Sequence, residues 1–270
     1  MSAGGACGVM PEGDSIRRVA SRLQPLIGQT LARVTTQGIV RNLVGRTITA
    51  VAPHGKHLMI DLDDGTQLRM HLGMNGRVRY YMREDGEAAV ARISPGRASL
   101  VLVTAEYVAM WIQAPTVEIA PRRAPMRGIA VAALGPDVLA DDFDANVAAT
   151  RALEAAHRMI GEVLLDQRVA AGIGNIWRCE SLFVTRIDPR ALVGSLSHDQ
   201  IAATYRAARE LMLTRLTAAG PARDRFAVYS RTNKPCPRCE APIRAYQLGE
   251  PPRWTWSCPV CQPHGASGGA

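Results

Sequence analysis

The stretch Cys236-Pro237-Arg238-Cys239, answered by Cys258-Pro259-Val260-Cys261, decides how the rest of the chain is read. Two Cys-x-x-Cys pairs stand eighteen residues apart, a spacing that suits two tight turns whose thiolates converge on one tetrahedral Zn²⁺. Four protein ligands leave no position open for water, so such a site is structural: the metal holds a β-ribbon too short to bury a core of its own. Arg231, Lys234, Arg238, Arg244 and Arg253 crowd the ribbon, with Tyr229, Tyr246, Trp254 and Trp256 interleaved. The pattern reads as a zinc finger that grips nucleic-acid phosphate. The competing readings are a pair of disulfides, a zinc clip without a ligand, or a solvated basic ribbon.

The rest of the composition agrees with a polyanionic partner. The chain has 270 residues, enough for two compact domains and a finger, with 47% hydrophobic and 21% charged residues. Its net charge is +8 and its isoelectric point about 9.6, an excess that favours nucleic acid through steering and counterion release. No apolar run approaches a spanning helix, which argues against a membrane partner. Beyond the finger the only cysteines are Cys7 and Cys179, a usage that fits a reducing cytoplasm.

Upstream, residues 1–10 carry no periodicity. Pro11-Glu12-Gly13-Asp14 then leads into a predicted helix with Asp14 as N-cap and Ile16, Val19, Ala20, Leu23 and Ile27 at helical spacing. Were Met10 the initiator, its removal would expose Pro11 as a secondary amine with a pKa of roughly 8, a nucleophile able to form an iminium with a sugar aldehyde carbon. The plain alternative is a turn before a capped helix. From Gln29 to about Trp111 the pattern predicts strands: Thr47–Val51, His57–Leu62 and Gln67–Leu72, with Asp64-Gly65 as a hairpin signal, then Ser99–Thr104 and Tyr107–Ile112. Two antiparallel sheets with a helix alongside account for this half. Lys56 falls in a polar turn, where a lysine is commonly just solvated. Met74 stands among glycines, either as a wedge between bases or as a core plug.

Pro115–Pro136, rich in Pro, Arg and Gly, reads as a linker. Helices are predicted at Asn146–Glu154, Ala156–Leu165, Ile176–Phe183 and His198–Leu216. Gly172-Ile173-Gly174-Asn175 opens the third, offering backbone N–H groups to a phosphate or simply making a close helix–helix turn.

Taken in order, these motifs resemble the formamidopyrimidine-DNA glycosylase and endonuclease VIII family of base-excision repair enzymes. The carriers are Pro11-Glu12-Gly13, Gly55-Lys56, His71-Leu72-Gly73-Met74, Leu134-Gly135-Pro136-Asp137, Gly172-Ile173-Gly174-Asn175-Ile176, and Val228-Tyr229-Ser230-Arg231 running into the finger that ends at Gln262. The resemblance spans Pro11 to Gln262. It implies an α+β protein of two domains, an N-terminal β-sandwich with a flanking helix and a C-terminal helix-two-turns-helix bundle plus Cys₄ zinc finger, with DNA in the cleft between. The implied boundaries are an extension at 1–10, the sandwich at 11–120, a hinge at 121–140, the helical domain at 141–225, the finger at 226–262 and a tail at 263–270.

The implied activity is that of a bifunctional DNA glycosylase and AP lyase. A damaged base is flipped from the duplex, Pro11 attacks C1′, and the strand is cut by β,δ-elimination. Glu12 acts as general acid on the sugar, and Lys56 contacts the phosphate beside the lesion. Asn175 and Arg253 grip phosphates, and Met74 fills the gap left by the base. The implied partner is damaged double-stranded DNA, bound by a cytoplasmic monomer with one structural Zn²⁺ and no obligate protein partner. Three departures bear on the branch. Asp14-Ser15 stands where the family often has Pro-Glu, no Arg-Arg-Phe element occurs near Gln113–Glu118, and the segment Thr217–Ala227 is short. The last two lean towards the endonuclease VIII branch and oxidised pyrimidines. With residues 1–10 attached, Pro11 has no free amine, so the rival from another class is a non-catalytic protein that binds damaged DNA. A zinc-ribbon RNA-binding protein is the third reading.

Overall fold

The computed structural model describes residues 11–38, 42–94, 96–124, 133–217 and 226–264. Expectations placed on residues 1–10, on Cys7, on most of Thr217–Ala227 and on the tail beyond 264 lie outside the described residues. The chain divides into two units, split between residues 132 and 133.

Unit 1 begins with α1, Gly13–Arg22, whose N-cap is Glu12 rather than the expected Asp14. Ser15 decides this: its Oγ accepts the Glu12 N–H at 2.8 Å and donates back to the Glu12 carbonyl at 2.8 Å. The usual capping box is thereby inverted, the acid standing at the cap and the hydroxyl three residues on. Ile16, Ala20 and Leu23 are buried as their spacing predicts, but Ile27 lies past the helix end and is exposed.

Eight strands follow: β1 Arg33–Thr36, β2 Ile48–His54, β3 His57–Leu62, β4 Thr66–His71, β5 Arg77–Met82, β6 Ala98–Val103, β7 Tyr107–Ile112 and β8 Thr116–Pro121. They form two antiparallel four-stranded sheets, β1-β6-β7-β5 and β2-β3-β4-β8. Alternate residues of both sheets meet in one core, with Leu58, Ile60, Leu68 and Met70 from one and Leu100, Leu102, Ala109 and Trp111 from the other, closed by Ile16, Ala20 and Leu23 of α1. This is the expected sandwich.

Two readings of this half need correction. The stretch expected to be a linker starts with a strand: β8 completes the second sheet against β4, and its Val117 and Ile119 pack on the core. Arg69, 2% exposed, fixes the chain as it leaves that strand, donating to the Ala124 and Arg122 carbonyls at 2.8 Å. The other omission is a second helix, α2 Arg83–Ala91, over the outer face of the first sheet, where Ala89 and Val90 pack on Val101, Val103, Val108 and Met110.

Unit 2 carries α3 Ala145–Leu153, α4 Ile160–Val163, α5 Asn175–Thr185 and α6 His198–Thr217, then the hairpin β9 Arg244–Leu248 and β10 Arg253–Ser257. The helix expected over Ala156–Leu165 is only the short α4, because Ala155–Arg158 is a turn bonded to the chain at Val193 and Gly194. Helix α6 shows one apolar stripe, Ile201, Tyr205, Ala208 and Met212, at the 3.6-residue period. Helix α5 differs. Every residue from Asn175 to Phe183 is buried, Arg178 and Glu180 included, so it is the interior helix around which the unit packs.

Close packing makes α2 testable at Gly86, where an added Cβ would lie 2.4 Å from the Val108 Cβ. Alanine gains about 1 kcal/mol of helix propensity, whereas overpacking costs about 1–3 kcal/mol. Gly86→Ala is expected to lower the urea midpoint of unit 1; a raised midpoint would show that α2 lifts off its sheet freely.

Candidate functional site

In unit 2 the site is built on the first turns of α5. Gly174 is the N-cap in extended backbone, and Asn175 occupies the first helical position, its side chain turned to the finger. Asn175 Nδ2 donates to the Trp254 carbonyl at 2.8 Å, while its Oδ1 is buried without a partner. Arg178, one turn on and fully buried, donates to the same carbonyl at 3.0 Å, to Thr255 Oγ1 at 2.6 Å and to the Gly161 carbonyl at 3.3 Å. None of these oxygens belongs to a carboxylate, so a positive charge is held indoors by dipoles alone, an arrangement that is costly unless fully hydrogen-bonded. Arg253 sits exposed at the start of the strand so anchored.

Glu180 performs the converse task. Its Oε1 accepts the N–H groups of Val228 and Tyr229 at 2.9 and 2.8 Å, and its Oε2 that of Ala227 at 2.8 Å. Burial pushes its carboxyl up from the ordinary range, against the pull of those three donors. At the far end of α5, Arg238 donates to the carbonyls of Phe183 and Val184 and lies over the Phe183 ring. One helix thus holds the finger along its whole length.

The four finger cysteines converge. Cys236 and Cys261 Sγ are 3.8 Å apart, Cys239 lies 3.5 Å from both Cys258 and Cys261, and all four sulfurs fall within 4.8 Å of one another. A disulfide needs about 2.05 Å, whereas a tetrahedron with metal–sulfur bonds of about 2.3 Å has edges of about 3.8 Å. The geometry fits one ion and excludes the disulfide reading. In each pair a backbone N–H points at the first sulfur, Arg238 to Cys236 and Cys261 to Cys258, both at 3.4 Å, as thiolate ligands require.

In unit 1, Gly55 and Lys56 form the two-residue turn between β2 and β3, closed by the pair His54–His57. His57 also pairs with His71 on β4, their rings 5.0 Å apart. Burial, then His71, His54 and Lys56, lowers the His57 pKa to about 4; burial and Lys56 likewise lower that of His71. The Gly73 N–H donates to His71 Nδ1 at 3.1 Å. A neutral imidazole that accepts there carries its proton on Nε2 and offers it as a donor.

The chain then turns tightly, the Gly76 N–H bonded to the Leu72 carbonyl at 2.8 Å. A side chain at Gly76 would meet that carbonyl oxygen at 2.2 Å, and one at Gly73, with φ of +57°, would strike Pro115 at 2.6 Å. Met74 is presented at the tip, 63% exposed, which removes the core-plug reading. Pro11 and Glu12 lead into α1, with Glu12 1% exposed. The α1 they open packs on β2 and β3, the strands that carry Lys56 between them.

Residues 10–106 match the formamidopyrimidine-DNA glycosylase N-terminal domain, and residues 134–223 match its H2TH domain. A "Probable endonuclease 8 2" of Streptomyces coelicolor is 35% identical, the match covering 94% of each chain. The DNA-(apurinic or apyrimidinic site) lyase Nei2 of Mycolicibacterium smegmatis is also 35% identical, over 94% of this chain and 99% of that one. This chain belongs to the formamidopyrimidine-DNA glycosylase and endonuclease VIII family. Among solved structures, the MutM (Fpg) protein of Thermus thermophilus superimposes with a TM-score of 0.78 at 29% identity, covering 94% of this chain and all of that one. The α+β fold matches the family's. Among the described residues no helix is long and apolar enough to cross a membrane.

Within that family frame, three residues carry structural weight that the sequence reading passed over. Arg178 and Glu180 looked like the polar face of a surface helix, since nothing in a 3.6-residue period says that the polar face is buried as well. His71 was quoted as part of a motif but given no task; the signal lay in its spacing to Gly73, which lets the ring cap that N–H.

The histidine row has a pH consequence. Unfolded, His57 takes up a proton below about 6.5; folded, it stays neutral to about 4. Stability from this site is therefore intact above pH 6.5 and falls as the pH drops through that window, by on the order of 3 kcal/mol at about 1.4 kcal/mol per unit. His57→Gln is expected to flatten this part of the stability curve relative to the parent, as measured by denaturant unfolding across the window. Parallel curves would show that His57 titrates normally in the folded protein.

Proposed function

We propose that the protein is a bifunctional DNA glycosylase and AP lyase of base-excision repair, acting on oxidised bases, pyrimidines in particular, in double-stranded DNA. The observation that carries this is the junction of α5 with β10. It brings Asn175, at a helix start, against the strand that begins with Arg253, so a dipole end and a cation are fixed together on one unit. Two phosphates of one backbone suit that pair. The relatives named as endonuclease 8 and as an AP-site lyase support the activity.

In the proposed reaction Pro11, as a free N-terminal amine, attacks C1′ of the damaged nucleotide. The N–C1′ bond forms, the glycosidic bond breaks, and the base leaves with its bonding electrons and takes up a proton. Glu12 protonates the sugar ring oxygen, so that C1′ opens to an iminium. Loss of a proton from C2′ expels the 3′ phosphate, and a second elimination expels the 5′ phosphate. Lys56 holds the phosphate next to the lesion. The low pKa values of His57 and His71 keep them neutral, and His71 Nε2–H is a further donor for that phosphate. Met74, exposed on its glycine turn, fills the space of the extruded base. Cys236, Cys239, Cys258 and Cys261 hold one Zn²⁺, which supplies structure and no chemistry. The proposed domains are a sandwich at 11–120, a hinge at 121–140, now shortened by the end of β8, a helical domain at 141–225 and a finger at 226–262.

The second reading, a non-catalytic binder of damaged DNA, rests on one fact: Met10 precedes Pro11 in the sequence. Borohydride separates the two, because it reduces an iminium to a stable amine. Protein beginning at Pro11, confirmed by intact mass, is expected to form a covalent adduct with an abasic duplex; protein that keeps residues 1–10 is expected to form none. Pro11-initiated protein that binds the duplex but gives no adduct would establish the binder reading instead.

A further inference from the structure

Trp254 stands out in the finger. Burial along β10 alternates: Thr255 and Ser257 are buried towards α5, Trp256 is half-buried, and Trp254 is 54% exposed. Trp256 is already used, its Nε1 donating to Thr232 Oγ1 at 2.9 Å and its ring against Tyr229. Trp254 lies opposite Gln247 on β9, itself exposed, so no large side chain covers it from that strand.

Single exposed apolar side chains are common on protein surfaces and carry no meaning alone. Two features set this one apart. Its backbone is among the most firmly held in the finger, the Trp254 carbonyl taking both Asn175 Nδ2 and Arg178 Nη2, so its position is fixed before any ligand arrives. Its neighbour in sequence is Arg253, exposed, with Arg244 also exposed on the paired strand. A rigid aromatic face beside cations that suit a phosphate backbone is the arrangement that holds an unstacked nucleobase, since every base offers a π-face.

We propose that Trp254 is a stacking platform for an unpaired base of the strand whose phosphate Arg253 holds. The protein therefore engages DNA that is locally single-stranded beside the lesion, in addition to the fully paired duplex. This rests on the DNA reading above. Arg178 is a positioning residue for the platform, acting through the Trp254 carbonyl.

The test is equilibrium binding by fluorescence anisotropy to three oligonucleotides that carry the same tetrahydrofuran abasic analogue, one fully paired, one in a bubble and one single-stranded. Base stacking on an aromatic ring is worth about 1–3 kcal/mol, so Trp254→Ala is expected to weaken the bubble and single-stranded complexes about 5- to 150-fold. The paired duplex is expected to lose less than about twofold, and Trp254→Phe to recover most of the loss. Metal content and thermal midpoint, measured alongside, are expected to match the parent because the side chain is exposed. Equal losses on all three DNAs would overturn the proposal in favour of a duplex contact, and no loss on any would make Trp254 an ordinary surface residue. A parent protein that binds none of the three would instead remove the DNA reading itself.

Discussion

The buried polar grip of α5 on the finger is the constraint on which unit 2 depends. An ordinary helix presents one polar face to water; this one buries all of its first nine residues and must therefore satisfy each polar group inside. It does so by spending Asn175, Arg178 and Glu180 on the backbone of the finger rather than on one another. Each bond joins segments far apart in sequence, which is how a hairpin of two five-residue strands acquires a fixed position. Breaking one partner would leave a buried donor or acceptor orphaned, so the grip acts as a unit.

The cysteine cluster closes the same small core from the other side. Cys236 and Cys258 pack with Cys179, Phe183, Val228 and Ile243, so the metal ligands and the end of α5 share one apolar cluster. Gln262 ties the end of the finger back, accepting the Cys258 N–H at 3.0 Å and donating to the Ile187 carbonyl at 2.8 Å. Metal binding and the placement of Arg253 and Trp254 are thus linked through packing, with no part in the chemistry assigned to the ion.

Much of this was legible in sequence for a physical reason. Ligand spacing at Cys236–Cys239 and Cys258–Cys261, alternation in β3 and β4, and the helical stripe of α6 are local signals that tertiary context does not reverse. What was lost depended on context. Strand β8 hides among prolines because its pairing partner β4 lies some fifty residues upstream. Asp14 has the chemistry of a cap, but Ser15 three residues after Glu12 moves the cap upstream, a reciprocal bond that intrinsic preference does not encode. Helix α2, with Gly86 at its centre and charges at its start, has a weak apolar period and forms because Val108 leaves room for no side chain there. The order of Pro11, Lys56, Met74, Asn175 and Arg253 along the chain was readable; the burial of Arg178 beneath Trp254 was not.

Hydrogen exchange of unit 2 with and without a strong chelator tests the interlock most directly, read together with affinity for an abasic duplex. The account expects metal removal to expose the amides of Ala227, Val228 and Tyr229, which Glu180 holds, and to abolish DNA binding, while the strands of unit 1 keep their protection. Undiminished protection at those three amides and unchanged affinity in the metal-free protein would contradict it.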